Sequence, residues 1–252
     1  MRIKAIIQYN GSAYYGFQTQ NNQEMNSIQD EIEKVLSKIF NTPISISASG
    51  RTDRGVHALN QVIHFNVENK EIDLYKIRYS INCMLPKDIY FKEMEVVDKK
   101  FHSRFCVKTK SYRYVINMGE RNVILDKLVY NLSRKLNVEK IKEAMELFIG
   151  EHSFLNFCTN NEGDFVRNIY SFTLEEKGDY LIFDISGNGF RRYMVRMIIG
   201  TLIEVGLENI DLDYIKETLD GGKYNRVRYK APSEGLYLYN VEYGGELLDV
   251  ED

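Results

Sequence analysis

The most polar segment of the chain runs from Gly50 to His57 and places Asp53 between two arginines. Neighbouring positive charges favour the ionised form of a carboxyl group, so we expect Asp53 to be a carboxylate. An ionised carboxylate held in a pocket can act as a nucleophile or as a base. An ordinary hairpin loop, in which the aspartate closes a turn on its own backbone, fits the same pattern. The residues alone leave both interpretations open.

Aromatic and basic residues alternate between Lys110 and Tyr114. On a strand, Tyr112 and Tyr114 would face one side of the sheet and Arg113 the other. An aromatic ring beside cations suits an unstacked nucleobase and its phosphate. Two core tyrosines beside exposed basic residues would give the same pattern, so this segment does not decide the function by itself.

Arg192 and Arg196 lie four residues apart in a stretch whose apolar residues predict a largely buried helix. On such a helix the two arginines would share one face. A buried arginine is costly unless an anion pairs with it. For Arg196 the candidate anions are a carboxylate, such as that of Asp53, and a bound phosphate. Arg192 is a candidate substrate-binding residue.

Positive charge is concentrated in acid-free stretches, although the net charge of the 252-residue chain is −3. Besides the two arginines above, these stretches are residues 99–113 and 222–233. A single basic stretch is most often a solvated face. Several of them interleaved with Phe and Tyr favour a site for a polyanion.

Composition and motif content exclude several classes of protein. The three cysteines are widely spaced and form no C-x-x-C pair, which argues against a disulfide framework and a thiolate zinc site. The sequence contains no P-loop, no dinucleotide fingerprint and no paired-histidine metal motif. No apolar run approaches the roughly 18 residues of a membrane span, and no signal-peptide pattern is present. We therefore expect a cytoplasmic protein without metal or membrane attachment.

Hydrophobic periodicity predicts two similar successions of elements. In the first half a β-α-β-β-α-β order is predicted at residues 2–9, 26–40, 44–48, 62–67, 74–84 and 89–97. In the second half one strand, one helix, two strands, two helices and one strand are predicted at residues 105–116, 138–148, 169–176, 180–186, 190–205, 212–219 and 236–243. These orders predict an α+β protein of two fused split-βαβ (ferredoxin-like) units. We expect an N-terminal unit at 1–103 and a C-terminal unit at 104–252, with adjoining, mainly antiparallel sheets and a basic RNA-binding cleft between them.

The chain resembles the tRNA pseudouridine synthase A family over nearly its whole length. Seven segments carry the resemblance, in the family's order and at compatible spacing: residues 9–20 (YNGSAYYGFQTQ), 50–58 (GRTDRGVHA), 61–65 (QVIHF), 101–105 (FHSRF), 110–114 (KSYRY), 190–200 (FRRYMVRMIIG) and 234–238 (EGLYL). The resemblance implies an isomerase that converts uridines at positions 38, 39 and 40 of the tRNA anticodon stem-loop to pseudouridine. It also implies that no cofactor or metal is needed, and that a homodimer binds tRNA across both subunits.

The resemblance assigns roles to individual residues. Asp53 falls on the family's essential aspartate, and Arg51 is expected near the flipped nucleotide. Tyr112 matches the tyrosine that packs against the target base. Arg196 matches the basic partner of the aspartate, and Leu236 matches an apolar wall of the pocket.

The chain departs from the family's commonest pattern at three positions. Arg54 stands where alanine is usual, Asn10 where aspartate is usual, and Phe17 where tryptophan is usual. Arg54 adds charge beside the aspartate, and we expect it to contact a phosphate of the substrate. Two other functions remain open from the sequence: a non-catalytic RNA-binding module of the same fold, and a hydrolase that uses Asp53 with a second carboxylate.

Overall fold

The computed structural model of the protein describes residues 1–19, 26–68, 71–159, 162–219 and 226–244. The chain forms two compact units, one of Met1–Lys108 with Tyr237–Asp252 and one of Thr109–Leu236. The domain boundaries predicted from the sequence, 1–103 and 104–252, stay a prediction. The last described strand groups with the first unit because it hydrogen-bonds to a strand there.

The elements are numbered in chain order. The described strands are β1 (Arg2–Tyr9), β2 (Ser47–Ala48), β3 (His57–Asn66), β4 (Ile89–Val97), β5 (Val107–Asn117), β6 (Tyr130–Asn131), β7 (Gly150–Ser153), β8 (Val166–Lys177), β9 (Tyr180–Gly187) and β10 (Leu236–Tyr243). The described α-helices are α1 (Ile28–Phe40), α2 (Leu74–Met84), α3 (Val138–Glu146), α4 (Met194–Gly206) and α5 (Leu212–Leu219).

The sheet of the first unit is built around β1. This strand lies between β4 and β3 and is antiparallel to both, and its Ile3, Ala5 and Ile7 are buried because alternate side chains face the core. On its other edge, β3 pairs antiparallel with β2 near its end and parallel with β10 at its start, where Tyr237 lies opposite His57. The order β4-β1-β3-β2 is that of the predicted split-βαβ unit.

The second unit contains the antiparallel sheet β5-β9-β8-β7. Gly178, with a φ of +61°, occupies the tight turn between β8 and β9. Helix α4 is buried over most of its circumference, as its nearly continuous apolar sequence predicts.

The predicted α+β class is confirmed, whereas several element boundaries are wrong, and three of these errors exceed two residues at the start of an element and bear on the candidate site. The strand predicted at 62–67 begins at His57, and the strand predicted at 44–48 forms only at Ser47–Ala48. The helix predicted at 190–205 begins at Met194, because Tyr193 adopts the left-handed conformation with a φ of +64°. The predicted basic cleft stays a prediction.

None of the described helices combines the length and apolar character that a membrane-spanning helix requires. Across the described ranges, no group of three or more His, Cys, Asp and Glu side chains is arranged to hold a metal ion.

Candidate active site

The loop that carries Asp53 connects β2 to β3 and forms hydrogen bonds with the end of β1 and with the segment that follows it. The hydroxyls of Tyr9 and Thr52 share a buried hydrogen bond of 2.8 Å. The amide of Phe17 donates to the carbonyl of Thr52 at 3.1 Å, and the amide of Val56 donates back to the carbonyl of Asp53 at 3.1 Å. The backbone on both sides of Asp53 is therefore fixed by bonds to defined partners.

Two glycines allow the backbone after β1 to approach this loop. A Cβ atom on Gly11 would lie 2.0 Å from the carbonyl oxygen of Val56, and one on Gly16 would lie 2.8 Å from that of Thr52. Gly16 also has a φ of +108°, a conformation that L side chains rarely adopt. The glycines of the segment YNGSAYYGF are thus required by packing against the aspartate loop.

Buried polar groups hold the two ends of the same loop. At its start, Ser49 donates to the Gln61 side chain, whose amide donates to the carbonyl of Gly50 at 2.8 Å. At its end, the Nδ1 atom of His57 accepts the Gly11 amide at 3.1 Å. Because Ser49, Gln61, Gly11 and His57 are buried, breaking these bonds would leave buried polar groups unsatisfied, and both ends of the loop are held in place.

His57 also stacks on a ring from the end of the chain. Its ring centroid lies 4.8 Å from that of Tyr237, with 30° between the planes. Burial raises the pKa of the Tyr237 hydroxyl to about 12, so the ring stays neutral at physiological pH. β10 therefore supports the strand that follows the aspartate loop.

The charged side chains of the loop differ in exposure. Asp53 is half-buried, whereas Arg51 and Arg54 are exposed. The Arg54 guanidinium lies over the Tyr15 ring, 5.3 Å from its centroid. This arrangement leaves the Arg54 charge at the surface next to Asp53 in sequence, as a phosphate contact requires. The phosphate contact of Arg54 stays a prediction.

The other two departures from the family pattern have local explanations. The Asn10 side chain accepts the amide of Ser12 at 3.0 Å and so caps a short 3₁₀ turn, as the more usual aspartate would. Phe17 is buried, with its ring centroid 6.0 Å from that of Tyr9. Neither substitution alters a charge on the aspartate loop.

In the second unit, Tyr112 lies on β5 with its ring partly exposed. It packs edge-to-face on Phe190, with 5.2 Å between the centroids. On the opposite face of β5, Arg113 forms a two-bond ion pair with Asp184 on β9, at 2.8 and 2.7 Å. Strand alternation thus places the tyrosine and the arginine on different faces, as the sequence predicts.

Tyr114 shares the face of Tyr112 but is a core residue. Its ring is buried, and its hydroxyl donates to the carbonyl of Pro232 at 2.8 Å. Burial raises the pKa of this hydroxyl well above its usual range; nearby Glu234 raises it further and nearby Arg196 lowers it. Tyr114 is therefore a core residue, whereas Tyr112 is only partly buried, and its role beside a nucleobase stays a prediction.

Arg196 is half-buried on α4 and is tied to the segment before β10. Its Nε donates to the carbonyl of Ala231 at 2.8 Å, and its own carbonyl accepts the Ala231 amide at 2.9 Å. Leu236, at the start of β10, is buried and donates its amide to the carbonyl of Ser233. The predicted roles of Arg196 as partner of Asp53 and of Leu236 as pocket wall stay predictions.

The prediction that Arg192 and Arg196 share a helix face is wrong, because α4 begins only at Met194. Arg192 lies in the turn before the helix and is exposed. Both guanidinium groups nevertheless lie over the ring of Tyr193, at 4.9 and 5.4 Å from its centroid. Tyr193 was not singled out from the sequence, since no local pattern marks a tyrosine for a left-handed conformation.

The sequence profile of a family described as tRNA pseudouridine synthase matches residues 5–106 and 144–244. A tRNA pseudouridine synthase A from an Exiguobacterium species is 41% identical over 244 residues, covering 96% of this chain and 98% of the relative. One from Bacillus subtilis is 38% identical over 248 residues, covering 96% and 99%. A solved Cbf5-Nop10-Gar1 complex is 14% identical with a TM-score of 0.33, covering 80% of this chain and 54% of that one, and this likeness is too distant to add to the argument.

Proposed function

Because the chain belongs to the tRNA pseudouridine synthase family and is an isomerase that converts uridine in tRNA to pseudouridine, we propose that its targets are positions 38, 39 and 40 of the anticodon stem-loop and that Asp53 is the essential carboxylate. The observation that supports this role is the half-buried aspartate on a loop whose backbone is fixed on both sides. A side chain on such a support can be held in one geometry relative to a bound nucleotide.

The reaction rearranges one nucleoside without adding or removing atoms. The bond from the ribose C1′ to N1 of the base is broken, the base rotates, and C1′ is joined to C5. The proton displaced from C5 is balanced by a proton gained at N1, so no oxidant or reductant is consumed. We propose that Asp53 takes part by attacking the nucleoside or by removing a proton from it, and that no metal or cofactor is used.

A uridine stacked in a stem cannot reach a side chain on the protein, so the target nucleotide must leave the stack. Flipping costs about a few kcal/mol, which contacts to the extruded nucleotide must offset. We propose that Tyr112 supplies ring surface for the base, that Leu236 forms an apolar wall, and that Arg51 lies near the flipped nucleotide. Arg196 is proposed to hold the Asp53 carboxylate in its charged form.

We further propose a cytoplasmic homodimer that binds one tRNA across both subunits. This proposal is supported by the family assignment alone. Light scattering of the purified protein, with and without tRNA, tests it. A mass that corresponds to one chain in both conditions would contradict it.

The direct test is to incubate the purified protein with unmodified tRNA transcripts, without added metal, and to map pseudouridine. We expect product at positions 38 to 40 and at no uridine of the acceptor stem. A non-catalytic RNA-binding module would bind the transcript and yield no product; this alternative is not favoured, since the relatives are named as synthases. A hydrolase acting through Asp53 would release free uracil, which chromatography of the same reaction detects.

Replacing Arg54 tests whether this departure from the family pattern contacts RNA. In Arg54→Ala, one phosphate contact is lost, so the slope of log affinity against log salt should fall by about 0.7 to 0.9. Folding should be unaffected because the side chain is exposed and lies over the Tyr15 ring. Conversion at each target uridine is measured in parallel. An unchanged salt slope together with unchanged rates would exclude the contact.

A further inference from the structure

Three cationic side chains surround one aromatic ring in the second unit. The Nζ atom of Lys230 lies 4.5 Å from the ring centroid of Tyr193, and the guanidinium carbons of Arg192 and Arg196 lie 4.9 and 5.4 Å from it. A cation over an exposed ring gains only about 0.5–1 kcal/mol. Tyr193 and these three cationic residues form the Tyr193 cluster.

The backbone that carries Lys230 is fixed by contacts with helix α4. Lys230 precedes Ala231, which forms two hydrogen bonds with Arg196 of α4. The same segment lies against Gly200, where a Cβ atom would come within 2.8 Å of the Tyr229 carbonyl. Contact with the helix therefore fixes the backbone position of Lys230.

The ring itself is held in an unfavourable conformation. Tyr193 has a φ of +64°, which is uncommon for a bulky residue, and it precedes α4 without capping the helix with its side chain. Its hydroxyl accepts a hydrogen bond from Nη2 of Arg192 at 3.1 Å. Such conformations cost about 1–3 kcal/mol and cluster at ligand-binding sites. This backbone conformation places the ring close to the lysine and to both arginines.

The charges within the cluster repel one another. Since Lys230 and Arg192 both lie close to one centroid, their cationic centres are at most about 9.4 Å apart, within the Debye length of about 8–10 Å at moderate salt. Within the described part of the chain, Lys230 makes no ion pair. An anion placed between these two side chains would relieve the repulsion.

We infer that Arg192 and Lys230 bind one phosphodiester group of the RNA substrate, with the Tyr193 ring as the platform that holds both cations in place. The inference rests on the proposed function for the identity of the polyanion. It assigns a binding role to Lys230 and Tyr193, which lie outside the aspartate loop, and gives Arg192 a specific ligand. Both side chains are long and exposed, so they can turn towards a single phosphate.

Lys230→Gln tests the inference in a binding titration of tRNA at a series of KCl concentrations. We expect the slope of log affinity against log salt to fall by about 0.7 to 0.9, as for the loss of one phosphate contact. In turnover, KM should rise while kcat at saturating tRNA stays that of the parent. Lys216→Gln is the matched control, because Lys216 is an exposed lysine of the same unit that pairs with Asp213. A salt slope in Lys230→Gln equal to that of the control would overturn the inference.

A second experiment asks whether the two residues hold the same phosphate. If they do, Arg192→Gln and Lys230→Gln are coupled, and the double variant should lose at least about twofold less affinity than the product of the single losses. Independent losses would overturn a shared site. Failure of the proposed function can be distinguished from failure of this inference. The first would appear as absence of pseudouridine with the parent protein, whereas the binding titrations require no turnover.

Discussion

Asp53→Asn is expected to bind tRNA with the affinity of the parent and to form no measurable pseudouridine. The substitution keeps the size and shape of the side chain but removes the negative charge, and with it the ability to act as a nucleophile or a base. The backbone bonds that hold the loop involve neighbouring groups and the Asp53 carbonyl, so they persist in the variant. Filter binding and product mapping on the same transcript give both quantities.

The matched control for this prediction is Asp126→Asn. Asp126 forms an exposed ion pair with Arg121, and the same chemical change there should leave turnover unaltered because exposed pairs contribute little. Thermal unfolding of both variants reports whether the fold is intact. Substantial product from Asp53→Asn would remove the residue from the chemistry, and loss of tRNA binding would show that its charge serves binding.

Gly16→Ala should lower turnover far more than it lowers the folded fraction. The added Cβ would meet the Thr52 carbonyl at 2.8 Å and would also lie 3.3 Å from the Asp53 carbonyl carbon, so the aspartate loop must shift. A positive φ and the crowding together should destabilise the fold by about 1–3 kcal/mol. A displacement of about 1 Å at a reacting group can cost roughly 100-fold in rate. We therefore expect kcat to fall by about that factor, with tRNA binding retained.

Substitutions at two other glycines separate the effect of the positive φ from the effect of crowding against the loop. Gly178→Ala adds a Cβ at a φ of +61° with no atom within 4 Å, so it measures the backbone cost alone, about 1–2 kcal/mol. Gly244→Ala has neither a positive φ nor a close neighbour and should be neutral. Neither control should change kcat. If Gly16→Ala also kept the parental kcat, the position of the aspartate loop would not limit the reaction.

Local patterns predicted the bounds of α2, β1 and β10 to the residue. The periodic apolar residues of α2, stopped before Pro86, and the alternation in β1 and β10 are complete signals within the segment itself. The short strands β6 and β7 were missed because two to four residues carry no period. An element could therefore be predicted from the sequence only where its repeating pattern was long enough to be recognised.

The start of β3 was misplaced for a different reason. Asn60 and Gln61 are polar and suggested a loop, but Asn60 donates to the Tyr239 carbonyl on β10, and Gln61 is buried against Ser49 and Gly50. Their partners lie far away or outside the strand, so no local propensity reveals them. The candidate site was predictable only in part. Asp53 could be selected from its charged neighbours and from the family resemblance, whereas the packing of Gly16 and the position of the Tyr193 ring depend on the fold.

The pairing of β10 with β3 has a consequence for how the chain is synthesised. The N-terminal part of the first unit, Met1–Lys108, leaves the ribosome more than a hundred residues before Tyr237 does, an interval of roughly ten seconds at ordinary elongation speeds. During that time the edge of β3 beside His57 is without its neighbour, and the imidazole lacks the ring that covers it. A nascent chain that already contains Asp53 therefore still lacks the strand that pairs with β3 at the end of the aspartate loop, and this part of the sheet is completed only when β10 has been made.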